Sequence, residues 1–208
     1  MNPINVLLLG PANVGKTVYV KRVNTGEFNK NYDATKSFET TKINFLTNKG
    51  YLDIFVHDFS GETEITEDII SKFKTLDIDS IFVMFDLSNA STFNKSLEII
   101  LKLKKNFHEQ DFNSFYKVMI GNKYDSKPRK INQQQISQHL TTKNAYGLFQ
   151  YYPISSKSCF NYELPFLNIS RKIHGNDIIF EDDVIDFDDD KFDYIDENGN
   201  ENCFGKKN

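Results

Sequence analysis

Hydrophobic positions along the chain fall into short runs separated by longer amphipathic stretches. Ile4–Leu9 is apolar almost throughout and opens the pattern. Phe38–Leu46 and Tyr51–Asp58 follow, joined through T-N-K-G, which predicts a hairpin. Ser80–Leu87 reads S-I-F-V-M-F-D-L, a run that fits a strand buried on both faces. Phe115–Gly121 and Phe149–Ile154 supply two more strands. Between them, helices are expected over Lys16–Asn24, Glu64–Leu76, Ser91–Phe107, Asn132–Thr142 and Tyr162–His174. In the third of these, Phe93, Leu97, Ile100, Leu101 and Leu103 recur at helical spacing. Ser91 and Asn132 are the expected N-caps of their helices.

Strands alternating with helices, plus one hairpin, predict a three-layer α/β domain. Its sheet is mainly parallel and six-stranded, with helices on both faces. Ligands bind such sheets beyond the carboxyl ends of the strands. Every motif described below falls at one of those ends.

Composition adds a tail to this picture. The 208 residues, 39% hydrophobic, suit one globular domain with an appendage. Charge is uneven: from Glu181 onward there are eleven acidic and three basic residues, within a chain of net charge −4. The body is therefore mildly basic. Residues 1–178 are read as the domain and residues 179–208 as a flexible acidic tail. Cys159 and Cys203 lie far apart and form no C-x-x-C pair, so no disulfide framework or cysteine metal site is predicted. A reducing compartment, cytoplasm or nucleus, follows. Ile4–Leu9 is too short for a signal core or a membrane span, and Cys203 stands six residues from the end, outside any C-a-a-X motif. No stable membrane anchor and no nucleic-acid partner are expected, and the chain is read as a monomer.

Chemistry enters with Gly10-Pro-Ala-Asn-Val-Gly-Lys-Thr17, which fits G-x-x-x-x-G-K-[ST] between a strand and a helix. The glycines let backbone N–H groups turn onto phosphate, and the helix N-terminus adds partial positive charge. Lys16 would reach the β- and γ-phosphates, and the Thr17 hydroxyl suits Mg²⁺, a cation that prefers oxygen ligands. Asn122-Lys-Tyr-Asp125 fits N-K-x-D at a later strand end. A carboxylate accepts only, and guanine presents two adjacent donors, its ring N1–H and its amino group. Asp125 therefore points to guanine. The Lys123 stem can lie over the base, and Asn122 can tie this loop to the phosphate loop. Ser155-Ser-Lys157, after the next strand, offers N–H groups for the guanine oxygen. Asp58-Phe-Ser-Gly-Glu62 fits D-x-x-G, with Asp58 placed to hold Mg²⁺ through a water and the Gly61 N–H to meet the γ-phosphate. Thr35 is a candidate second hydroxyl ligand for the metal.

With four motifs in this order, the chain resembles a Ras-superfamily small GTPase, a phosphate-loop NTPase with the G-domain fold. The Ran group is most similar. The resemblance is carried by Tyr19-Val-Lys-Arg-Val-Asn-Thr-Gly-Glu-Phe28 with Tyr32-Asp-Ala-Thr35, and by Gln150-Tyr-Tyr-Pro-Ile-Ser-Ser-Lys-Ser158, Asn161–Leu167 and Arg171-Lys-Ile173. It implies a switch between GDP and GTP states with Mg²⁺, an exchange factor, an activating protein, and effectors or transport receptors as partners. It also implies that nucleotide is held by Gly10, Ala12, Asn13, Val14, Gly15, Lys16, Thr17 and Val18 in the first loop. Phe28, Tyr32, Thr35 and Gly61 would follow, then Asn122, Lys123 and Asp125, and finally Ser155, Ser156 and Lys157. Phe28 would stack on the base, and Thr17, Thr35 and Asp58 would serve the metal. Glu62, Lys16 and Thr35 would stand at the reacting phosphate.

Three departures shape the expected activity. Glu62 stands where the family has a water-orienting glutamine, Ala12 replaces a common glycine, and Thr63–Asp68 lacks the Phe-Gly-Gly character of the Ran second switch. An amide both accepts and donates; an ionised carboxylate only accepts. Two like charges about 4 Å apart repel by about 4 kcal/mol at an effective dielectric near 20. Slow hydrolysis is expected, with Glu62 either swung out, serving as a base or, protonated, imitating the amide. Two alternatives stay open: a largely GTP-locked module that presents an effector surface, and a Rab-like traffic regulator without a lipid anchor.

Overall fold

The computed structural model describes residues 1–28, 38–62, 64–140, 146 and 149–181, together with the backbone of 193–195 and 201–203. The domain begins with β1 (Ile4–Leu9), α1 (Lys16–Thr25), β2 (Phe38–Thr47), β3 (Gly50–Phe59), α2 (Glu67–Lys74) and β4 (Ser80–Asp86). It continues with α3 (Ala90–Asn106), α4 (Glu109–Ser114), β5 (Tyr116–Asn122), α5 (Gln133–Leu140), β6 (Gln150–Pro153) and α6 (Leu164–His174). Six strands form one sheet in the order β2-β3-β1-β4-β5-β6. β2 and β3 are the antiparallel hairpin, and every other neighbouring pair is parallel.

The unbroken apolar runs follow from burial on both faces, because successive side chains of a strand point to opposite sides. In β1, Leu7 and Leu9 face one core, while Ile4, Val6 and Leu8 face the other. β4 divides the same way, Ile81, Val83 and Phe85 against Phe82 and Met84. The first core takes Ile70 and Phe73 from α2, Leu97, Ile100 and Leu103 from α3, and Ile136 and Leu140 from α5. The second takes Tyr19 and Val20 from α1 and Phe166 and Ile169 from α6. Phe166 is fully buried, and its ring lies 5.5–5.7 Å from those of Tyr19, Phe45 and Phe82.

Element edges differ from the sequence reading where polar residues compete. α3 is capped by Asn89, whose side chain accepts from the Ser91 N–H at 3.1 Å. Ser91 is not the cap; it lies inside the helix, and its own hydroxyl also donates to Asn89. α2 starts at Glu67 rather than Glu64, where the Thr66 hydroxyl caps it. Asn132 does act at the start of α5, exchanging hydrogen bonds with Gln135 at 2.9 and 3.0 Å. α4 was not expected.

Past α6 the chain runs onto the β2–β3 hairpin. Asn48 donates from its backbone N–H to the Ile179 carbonyl, accepts from the Ile179 N–H through Oδ1, and donates from Nδ2 to the Asp177 carbonyl. Lys49 pairs with Asp177 at 2.6 Å, and Phe180 stacks on Phe45 at 4.2 Å. Within the acidic stretch, β7 (Asp193–Ile195) and β8 (Glu201–Cys203) pair antiparallel. No helix among the described residues is long and apolar enough to cross a membrane.

Candidate nucleotide site

β1 delivers the phosphate loop to α1. Gly15 occupies the N-cap position of α1 at φ 95°, in the left-handed region. Gly15 supplies no side-chain cap, and the N–H groups that open a helix point towards an anion placed there. A Cβ at Gly15 would also meet Asn122 Nδ2 at 2.6 Å, so glycine is needed for the loops to approach.

Lys16 is buried, and its ammonium donates to the carbonyls of Gly10 at 2.8 Å and Pro11 at 3.1 Å. Burial lowers it to about 8, although the Asp58 carboxylate pulls the other way. The Thr17 hydroxyl donates to Asp58 Oδ2 at 2.6 Å. Asp58, next to last in β3, is almost fully buried. Burial raises its carboxyl against the Thr17 hydrogen bond and the Lys16 charge, and Glu39, opposite it on β2, adds to the rise. Its second oxygen, Oδ1, is buried without a partner among the described residues. A hydroxyl beside a buried carboxylate with a free lone pair is an oxygen set that fits Mg²⁺ or a water on it.

Gly61 closes against the phosphate loop. A Cβ there would overlap the backbone of Pro11 and Ala12. Glu62 is exposed, and its backbone N–H reaches the Ser60 hydroxyl at 3.4 Å.

The later loops meet the first one directly. Asn122 is buried; its Nδ2 donates to the Val14 carbonyl at 2.9 Å. Its Oδ1 accepts from the Lys123 N–H and from both the N–H and hydroxyl of Ser156. One amide therefore joins three loops. The Lys123 ammonium donates to the Asn13 carbonyl at 2.8 Å and pairs with Asp86 at 2.7 Å. Burial pushes the Asp86 carboxyl up, but Lys123 and Ser88 outweigh it and hold it below its ordinary value. Asp125 Oδ1 accepts from the Ser155 hydroxyl at 2.6 Å, and Lys157 stands 4.0 Å from Oδ2.

The structure thus brings together the expected residues of the phosphate loop, Asp58, Gly61, Asn122, Lys123, Asp125 and Ser155–Lys157. Val18 follows in α1, and Phe28 is half-buried just past it. Tyr32 and Thr35 lie outside the described residues. Sequence reasoning missed Asp86, and it assigned Ser155 a backbone role where the hydroxyl engages Asp125. A lone aspartate at a strand end carries no signal of its own.

A twisted α/β sheet with its glycine loop opening a helix, and a carboxylate loop tied to it, defines a phosphate-loop nucleotide-binding domain. The particular family follows from comparison: the Ras family model matches residues 5–175, and the chain belongs to the Ras family. It is a small GTPase, a GTP-binding switch of the kind that hydrolyses GTP and generally binds Mg²⁺ with the nucleotide.

Proposed function

We propose that this switch is guanine-specific through Asp125, hydrolyses GTP slowly, and most resembles the Ran group in its first switch and guanine loop. The observation that carries the reading is the Asn122 side chain, which locks the Asp125 loop to the phosphate loop at Val14 and to Ser156. Base and phosphate recognition are then one rigid unit. Asp125 takes the two guanine donors, and the Ser156 N–H, bonded to Asn122 Oδ1 at 3.1 Å, would be shared with the guanine oxygen. Lys16 meets the terminal phosphates. Thr17 and Asp58, with Thr35, would hold Mg²⁺, which supplies charge neutralisation at those phosphates when bound.

Slow hydrolysis rests on two residues. Glu62 is exposed and lacks the amide that would both accept from water and donate to phosphate. Ala12 adds a methyl on the backbone that Gly61 approaches. The same two residues favour a second reading, a long-lived GTP form that mainly presents an effector surface. Residues 1–178 act as the switch domain, with 179–208 as an acidic appendage, in cytoplasm or nucleus. Exchange factor, activating protein and transport receptors are the partners the Ran-like segments imply.

Two experiments test this. Competition binding should favour GDP over ADP strongly, and Asp125→Asn should exchange guanine for xanthine, whose carbonyl matches the new amide donor. ADP binding on a par with GDP would sink the guanine assignment. Affinity capture with GDP-loaded and GTP-analogue-loaded protein tests the Ran-like role. Recovery of importin-type receptors only with the GTP form supports it, and their absence from both removes it.

A further inference from the structure

We propose that Tyr124 and Phe160 form an aromatic brace that holds the two base-reading loops in register, and so sets guanine discrimination and nucleotide lifetime. This rests on the assignment of Asp125 and Ser156 to guanine.

Tyr124 is the variable position of N-K-x-D, and Phe160 lies just beyond Ser155-Ser-Lys157. Their rings stack across the two loops, centroids 4.6 Å apart and planes 13° from parallel. The Arg129 guanidinium lies 3.6 Å from the centre of the Tyr124 ring, and its Nε donates to the Tyr124 carbonyl at 3.1 Å. The backbone repeats the tie through the Tyr124 N–H, which donates to the Ile154 carbonyl, while the Ser155 N–H donates to the Phe160 carbonyl and closes the second loop on itself, each at 3.0 Å.

The loops need such a tie because their backbones are unfavourable by themselves. Lys123 has φ 62°, Cys159 φ 59° and Asn161 φ 53°, all in the left-handed region. Such residues persist where surrounding contacts hold them. Tyr124 follows Lys123, and Phe160 sits between Cys159 and Asn161, so the stack joins the strained points of the two loops.

Guanine is read from both loops at once. Its N1–H and amino group would meet Asp125, and its oxygen would share the Ser156 N–H with Asn122 Oδ1. A slide of one loop along the other moves the carboxylate away from the amino group. Tyr124 touches both Phe160 and Arg129, and none of the three is assigned a contact with the base; they are positioning residues. Hypoxanthine lacks the amino group, so the ratio of GDP to IDP release reports the Asp125 geometry itself.

The test measures GDP and IDP release from the full chain. Phe160→Ala and Tyr124→Ala should each speed GDP release by about three- to tenfold and shrink GDP-over-IDP discrimination. The double variant should match Tyr124→Ala, because removing the Tyr124 ring already deletes the Phe160 stack along with the Arg129 contact. Tyr124→Phe should behave as wild type, since the stack uses the ring and not the hydroxyl. Phe160→Leu, which keeps bulk without a ring, replaces Phe160→Ala if that variant does not fold. Faster GDP release with unchanged discrimination would overturn the brace, as would single effects that multiply in the double variant. Failure of Asp125→Asn to exchange guanine for xanthine would remove the base assignment and the brace with it. Success there with wild-type discrimination in the Phe160 variants would remove the brace alone.

Discussion

The buried ammonium of Lys16 should tie nucleotide binding to proton uptake. Its neighbours in the protein are two carbonyls and the Asp58 carboxylate, and burial brings it down to about 8 from 10.5. A folded pKa below the unfolded one means that the unfolded chain binds more protons between pH 8 and 10.5. Stability of the nucleotide-free protein should therefore rise with pH across that window, and the cost is full below about 8. The difference amounts to about 3 kcal/mol. Phosphates beside Lys16 favour the charged form and reverse this. GDP binding should take up about half a proton at pH 8 and about a tenth at pH 7. Calorimetric titration of GDP in pairs of buffers with different ionisation enthalpies measures the uptake at each pH. Uptake near zero at pH 8, or equal at both pH values, would refute the placement of Lys16 at the phosphates.

Asp86→Asn removes the charged partner of Lys123 while keeping its shape, and GDP release, followed by fluorescent nucleotide, should accelerate about tenfold. An unchanged rate would show that the Asn13 carbonyl suffices. Phe166→Ala opens the core where three aromatic rings meet and should cost about 3–5 kcal/mol in urea unfolding of the GDP-bound protein; a loss under about 1 kcal/mol would contradict that packing. Asn48→Ala deletes side-chain bonds to Asp177 and Ile179, and amide exchange at Ile178–Glu181 should quicken while GDP release stays unchanged. Unaltered exchange would mean that Phe180, Lys49 and the backbone bonds of Asn48 and Glu181 hold the segment without the Asn48 amide.

What the sequence disclosed and what it hid divide along a physical line. Gly10–Thr17, Asp58–Gly61 and Asn122–Asp125 are legible because each motif is local: a tight turn, a strand end and a helix start fix residue types a few positions apart. β1 and β4 were legible because burial on both faces makes them apolar almost throughout. Asp86, Tyr124 and Phe160 act across loops distant in sequence, and nothing near them marks the partner. α4 is six residues with only Phe112 buried, too short for periodicity to register. At the start of α3, Ser88, Asn89 and Ser91 are all plausible caps by type, and only backbone geometry selects Asn89. The Asn-Asp-Ile-Ile-Phe stretch after α6 looked like the end of a domain. Its docking depends on the turn residues Asn48 and Lys49, about 130 positions earlier.

We propose that Glu62 prolongs the GTP state of this switch. Single-turnover GTP hydrolysis by the wild type and by Glu62→Gln, measured side by side with Mg²⁺, tests it most directly. The restored amide can orient water and donate to phosphate, so the variant should hydrolyse GTP about tenfold faster, with GTP affinity unchanged. A variant as slow as the wild type, or slower, would contradict the claim.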